Sequence, residues 1–145
     1  MRDIIIFDLD GTIALIEHRQ HHVQGKSKNW RKFFAACVSD APNEPVITVL
    51  RTLYTKFQIY IVSGRSDEVR PETEKWLEKH KVPHHRLIMR KRGDHTADNI
   101  LKISWVNDGT IEKKRILCVF DDRDKVVKMW REAGISCFQV AEGDF

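Results

Sequence analysis

The sequence contains no apolar run near the ~18 residues that a membrane-spanning helix needs, which excludes a helical membrane span. Its three cysteines, Cys37, Cys118 and Cys137, are odd in number, far apart and set among apolar residues. They suit neither a disulfide framework nor a zinc site, and read as buried free thiols. There is no internal repeat, low-complexity tract or linker. Met1-Arg2-Asp3 leads straight into an apolar run, so neither a signal nor a transit peptide is expected, and a cytoplasmic protein is. A G-x-x-x-x-G-K-[ST] loop is absent, so the chain is not a P-loop kinase. No serine–histidine triad supports acyl transfer.

What is present is a soluble composition, 41% apolar and 32% charged. A length of 145 residues fits one domain, residues 1–145, with a sizeable core. The net charge of +4 and a pI near 9.0 suit an anionic substrate or partner.

Five short β-branched or aromatic runs read as strands: 4–7, 57–62, 87–89, 115–120 and 136–140. Helical patterns fall between them at 44–56, 68–80, 98–105 and 125–133, with Pro71 in a first turn and Gly134 just past a helix end. An α/β fold follows: a five-stranded parallel sheet with right-handed crossovers and helices on both faces. Residues 16–42 are too long for a tight loop and read as a small helical flap after the first strand. Trp30, Phe33, Phe34, Cys37 and Val38 would form the apolar stripe of a helix over 29–39, capped by Ser27. Pro42 and Pro45 would end the flap.

Polar clusters follow three of the strands: Asp8-Leu9-Asp10-Gly11-Thr12, Ser63-Gly64-Arg65 and Asp121-Asp122. In an open parallel sheet these all lie at the carboxyl edge, where ligands bind. Asp8 and Asp10 share one phase, and Gly11 allows a sharp turn that aims backbone N–H groups at the site. Asp8, Asp10, Asp121 and Asp122 offer hard oxygen ligands of the kind Mg²⁺ prefers. Ser63 can hydrogen-bond a phosphoryl oxygen, and Arg65 and Lys102 can neutralise its charge. The chemistry these groups support is phosphoryl transfer to an aspartate, followed by hydrolysis of the aspartyl phosphate.

D-x-D-G-T is the first motif of the haloacid dehalogenase (HAD) superfamily of phosphohydrolases, which the chain resembles. Arg19, Ser63-Gly64-Arg65, Arg92-Gly93-Asp94, Asp98, Lys102, Asp121-Asp122-Arg123, Met129-Trp130-Arg131 and Gln139–Phe145 further resemble the 3′-phosphatase domain of phage T4-type polynucleotide kinase/phosphatases. The resemblance covers nearly the whole chain. It implies a HAD-like fold, with Asp8 as nucleophile and Asp10 as general acid–base. It implies Mg²⁺ on Asp8, the Asp10 carbonyl and Asp122, with Asp121 close by. It assigns Ser63 and Lys102 to the phosphoryl group, and makes Arg19 and Arg65 substrate-contacting or site-organising cations. Gly11, Thr12 and Gly64 join the candidate substrate-binding set. Asp98 stands one helical turn before Lys102 and can orient it. A kinase domain is not expected, since the first motif begins at residue 8.

The implied activity is a Mg²⁺-dependent phosphatase acting on nucleic-acid 3′-phosphates or nucleoside 3′-phosphates. The alternatives are a 5′-nucleotidase for free mononucleotides, a phospho-accepting receiver domain and a binding protein with a dead site. A receiver places its phospho-aspartate after the third strand, where this chain has Met89-Arg90. A dead site has no need of four intact aspartates. Arg19, Lys26, Lys28, Arg31 and Lys32 would line or flank a groove open to a phosphate backbone. Plainer readings sit beside these. Asp124 reads as a helix cap, and the histidines at 18, 21, 22, 80, 84 and 85 as surface or flap residues. The four tryptophans read as packing, with Trp30 alone a candidate to face a base.

Overall fold

Four consecutive apolar residues, Ile4–Phe7, form strand β1 at the centre of the sheet, and none is more than 1% exposed. A computed structural model describes residues 1–145. After β1 come β2 (Ala14–Leu15), a 3-10 helix over Glu17–Val23, α1 (Trp30–Ala35), a 3-10 turn over Ala36–Ser39 and β3 (Ala41–Pro42). Then follow α2 (Glu44–Tyr54), β4 (Gln58–Ser66), α3 (Arg70–Lys79), β5 (Arg86–Arg90), α4 (Asp98–Asn107), β6 (Ile116–Asp121), α5 (Asp124–Glu132) and β7 (Cys137–Gln139).

The main sheet has five strands in the order β5-β4-β1-β6-β7, and every pair is parallel. Alternate residues of β1 serve opposite faces. Ile4 and Ile6 pack with Val106 of α4 and with Val126, Val127 and Trp130 of α5. Ile5 and Phe7 pack with Ile47 and Leu50 of α2 and with Trp76 and Leu77 of α3. Helices on both faces explain why β1 is an unbroken apolar run and not an alternating one. The α/β fold read from the sequence is therefore the one observed. Because β4 and β6 flank β1, the polar groups at the carboxyl ends of all three strands meet at one edge.

The flap holds less helix than its periodicity suggests. α1 stops at Ala35, and its cap is Asn29, not Ser27: the Asn29 side chain accepts the Lys32 N–H at 3.0 Å. Phe33 and Cys37 are buried, while Trp30 is 45% exposed. A helix of six residues cannot persist on propensity. This one leans on Arg19, whose guanidinium lies 4.3 Å from the Phe33 ring and donates to the Phe33 carbonyl. Pro42 does more than end the flap, since β3 pairs antiparallel with β2 to make its stem.

Ser63-Gly64-Arg65 lies inside β4, not in a turn beyond it. The β4–β5 register shifts between Ser63 and Ser66, a bulge that re-aims the side chains there. Helix α5 begins at Asp124 itself, with Arg123 in the cap position and no side-chain cap bond. Asp124 is thus not the cap; its carboxylate accepts from Gln139 Nε2 at 2.6 Å. Gly134 does adopt the left-handed conformation past α5, with φ +79°. The three cysteines are buried and free. No helix is long and apolar enough to cross a membrane.

Candidate active site

The loop after β1 turns at Gly11, where φ is +85° and a Cβ would lie 2.6 Å from Asp122 Cγ. Only glycine fits. This turn brings Asp8, Asp121 and Asp122 together, with one ligand oxygen from each within 4.8 Å of the others. All three are buried. Lys102, fully buried in α4, donates to Asp8 Oδ1 at 2.8 Å and to Asp121 Oδ2 at 3.0 Å. The Thr12 hydroxyl reaches Asp8 Oδ2 at 3.2 Å and Asp122 Oδ1 at 3.3 Å, and its one proton serves one of them at a time.

Three carboxylates against one ammonium leave surplus negative charge in a dry site. Burial and then the neighbouring Asp121 push the Asp8 carboxyl well above the ordinary range. Burial, with Asp121 adding to it, raises Asp122 to about 6. Lys102 is raised as well: burial would lower it, but Asp121 and Asp8 outweigh that and hold it charged. The surplus charge and the all-oxygen donor set fit a hard divalent cation. Asp10 stands outside this cluster.

The Asp10 carboxylate is held instead by two arginines. Arg19 Nη2 donates to Asp10 Oδ1 at 2.7 Å, and Arg65 Nη2 donates to the same oxygen. Burial would raise the Asp10 carboxyl, but Arg65 and Arg19 outweigh it and bring it down to about 2. Behind both arginines lies Asp40, a buried acid that no sequence pattern singled out. It accepts from Arg19 Nε at 2.8 Å, from Arg19 Nη2 at 2.7 Å and from Arg65 Nη2 at 3.3 Å. His18 Nε2 lies 2.6 Å from its Oδ1, and the Trp76 indole donates to its carbonyl at 2.9 Å.

This geometry corrects several sequence expectations. Arg19 has no exposed surface and all of its nitrogens are engaged internally, so it organises Asp10 and does not line the cleft. Gly11 and Thr12 are not among the residues lining the cleft, and their amides are engaged within the turn. The Gly11 N–H donates to the Ala14 carbonyl at 2.8 Å and that of Thr12 to Leu9 at 3.2 Å, because the turn itself consumes them. Lys102 is placed on Asp8 and Asp121, beneath the cleft surface. Asp98 lies 3.7 Å from Lys102, as the i,i+4 spacing suggests, but also 3.6 Å from Arg90 and 3.8 Å from Arg123.

Above these groups opens a cleft of about 880 Å³. Its floor includes Asp8, Asp10, Ser63, Gly64, Arg65, Asp98 and Asp122, and its rim includes Lys28, Arg31, Arg92 and Lys125. Arg65 Nε has no hydrogen-bond partner, so a buried donor remains at the floor for an anionic oxygen. The stretch after β7 braces the acid loop. A Cβ on Gly143 would run into the Asp122 carbonyl and sit 2.7 Å from Arg123 Cα. Gly143→Ala should therefore cost about 1–3 kcal/mol by overpacking and shift Asp122, seen as a lower urea midpoint and weaker cation response. Unchanged values for both would show that the contact is slack.

The family model for the polynucleotide kinase PNKP phosphatase domain matches residues 2–145. The chain belongs to that family. It is a HAD-type phosphatase domain. Its similarity to a bifunctional polynucleotide kinase/RNA ligase of Autographa californica nuclear polyhedrosis virus is 32% identity over 134 residues, 90% of this chain and 18% of the viral protein. A chain in the structure of the Pnkp1/Rnl/Hen1 RNA repair complex matches with a TM-score of 0.85 and 32% identity, over 99% of this chain and 44% of that one. This PNKP phosphatase domain thus spans less than half the length of either relative. A HAD family enzyme of Bacteroides thetaiotaomicron, crystallised with magnesium and inorganic phosphate, shares the fold at a TM-score of 0.60 and 14% identity, over 100% of this chain and 97% of that enzyme.

Proposed function

We propose that the chain is a Mg²⁺-dependent phosphomonoesterase that removes 3′-terminal phosphates from polynucleotides, or from nucleoside 3′-phosphates, through an aspartyl-phosphate intermediate. The observation that supports it best is the family match over residues 2–145, laid on a site where Asp8 and Asp10 share one cleft floor. The repair complex and the kinase/RNA ligase among its relatives favour a nucleic-acid end as substrate.

In this reading a carboxylate oxygen of Asp8 attacks phosphorus, the P–O3′ bond breaks, and Asp10 gives the leaving oxygen a proton. Water then attacks the aspartyl phosphate, and Asp10 takes its proton. Asp10 at about 2 is ionised in the free site, the form the second step needs. The first step needs the protonated form, and the negative charge of the arriving phosphate raises the carboxyl toward it. Ser63 and the unpartnered Arg65 Nε receive phosphoryl oxygens. Lys102 holds Asp8, and Asp98 steadies Lys102. Asp8, Asp121 and Asp122 are the side chains that would hold Mg²⁺, which when bound neutralises their surplus charge and that of the phosphoryl group.

The deciding experiment is a substrate panel with Mg²⁺: 3′- and 5′-phosphorylated oligonucleotides, and 3′- and 5′-mononucleotides. Phosphate release from the 3′ substrates is expected, with an oligonucleotide preference that shrinks as salt rises. Hydrolysis of 5′-mononucleotides with inert 3′-phosphorylated oligonucleotides would replace this reading with a 5′-nucleotidase.

Metal and pH should be linked. Asp8 and Asp122 hold protons more tightly when folded than when unfolded. Their stabilising effect is complete below the ordinary carboxylate value of 3.8; that of Asp122 is lost as pH rises through about 6, and that of Asp8 is lost as pH rises through its own raised value. Asp10, at about 2, has the opposite sign, and its contribution is lost only as pH falls below the ordinary range. Between these limits the metal-free protein should melt lower as pH climbs. Mg²⁺ should raise the melting temperature by several degrees at about pH 7.5 and by much less at about pH 5. EDTA should silence the enzyme, and Mg²⁺ should restore it. Equal Mg²⁺ shifts at both pH values would remove the cation from these three acids.

A further inference from the structure

The stretch Gln139–Phe145 has no part in the chemistry above, yet it lies against it. Val140 N–H donates to the Asp121 carbonyl at 3.0 Å, and Gln139 Nε2 donates to the Asp122 carbonyl at 2.9 Å. Asp124 N–H donates to the Gly143 carbonyl at 2.7 Å. This strap delivers Phe145 to the cleft that holds Asp8 and Asp10. The Arg123 guanidinium carbon lies 5.2 Å from the centre of the Phe145 ring, and Arg123 Nε donates to the Phe145 main-chain oxygen at 2.6 Å. The residue is nevertheless 47% exposed.

An exposed phenylalanine alone is ordinary. This one is backed by a cation, tied to the loop that carries Asp121 and Asp122, and set at the mouth of the cleft. Phe138, also exposed, stacks on Phe120 and is not among the cleft residues. Trp30 faces the cleft from the flap, but it packs edge-on against Phe33 at 5.6 Å, and its helix reaches the sheet through the two-residue strands β2 and β3. Phe145 is held to the acids far more directly.

We propose that Phe145, backed by Arg123, is the platform on which the nucleobase next to the scissile phosphate stacks. The inference rests on the reading of a nucleic-acid phosphomonoester substrate. Every base has a π face, so such a platform accepts all of them. It selects nucleotides over sugar phosphates that lack a base, without reading sequence.

Two measurements test it. The first compares an oligonucleotide 3′-phosphate having a normal terminal nucleotide with the same strand ending in an abasic residue. Phe145→Ala should raise KM about ten-fold for the normal end and leave the abasic end within about two-fold, and Phe145→Trp should restore the difference. An equal change on both ends, or none on either, overturns the platform. The second irradiates the Asp8→Asn protein with a strand ending in 5-iodouridine 3′-phosphate and maps the crosslink, expected at Phe145. A crosslink at Trp30 moves the base to the flap and overturns the proposal. If no 3′-phosphate is released by the parent protein but 5-iodouridine 5′-monophosphate crosslinks to Phe145, the 3′-phosphatase reading fails and the platform stands. Release of 3′-phosphate with no crosslink at Phe145 sinks the platform alone.

Discussion

Asp8→Asn is expected to abolish phosphate release and leave the fold intact. The carboxamide matches the carboxylate in size but cannot attack phosphorus, so turnover should fall by about four orders of magnitude or more. Stability should hold or rise. The change removes one negative charge from a group of buried acids that already hold their protons too tightly, and Lys102 keeps Asp121 at 3.0 Å. Asp10→Asn separates the two steps. It keeps the nucleophile and loses the base, so a phosphorylated protein should accumulate and be trapped by acid quench. Near-normal turnover by a folded Asp8→Asn protein would rule out the aspartyl-phosphate route.

The second large effect should come from Asp40, which sits behind the chemistry. Asp40 and Asp10 balance Arg19 and Arg65, and the Asp40 and Arg19 side chains have no exposure at all. Asp40→Ala leaves two buried guanidiniums facing one carboxylate. Breaking a buried pair in this way costs about 3–5 kcal/mol, because the surviving charge is stranded. Urea unfolding would measure it. Activity should fall too, since Asp10 is positioned by the same two arginines. Asp40→Asn keeps the shape and one accepting oxygen but turns the other into an NH2 donor, so it should fold with a smaller loss than Asp40→Ala while its activity and pH profile still change. An Asp40→Ala protein within about 1 kcal/mol of the parent would show that Arg19 and Arg65 find other partners.

The residues differ in how plainly the sequence announced them. Strands β1 and β6 lie inside the sheet between two helical layers, so their residues are nearly all apolar and the runs stand out. Their ends carry Asp8, Asp121 and Asp122, and the parallel topology alone brings these together. Asp40 carried no such mark. It meets Arg19 and Arg65 across 21 and 25 residues through the fold of the flap, and before Pro42 it looks like any loop acid. The flap helix, Trp30–Ala35, is shorter than its periodicity suggests for a related reason. Trp30, Phe33 and Phe34 recur at helical spacing, but they pack largely on one another, at 5.6 to 6.0 Å, and cannot hold a long helix to the sheet. Motif spacing does not show which amides a turn uses for itself, as the Gly11 and Thr12 amides are used here.

The position of β1 also governs how the chain reaches this state. The strand at the centre of the sheet is the first one in the chain, and its two neighbours pair through Gln58–Ile61 and Ile116–Phe120. One side of Ile4–Phe7 can be covered once β4 is available. The other stays open until β6 arrives, more than a hundred residues after β1. Pairing at such separations makes for slow folding, and an apolar strand left with one free edge invites pairing between chains. The arrangement that gathers the aspartates at one edge thus also makes the half-assembled sheet the species most prone to aggregate, during synthesis or refolding.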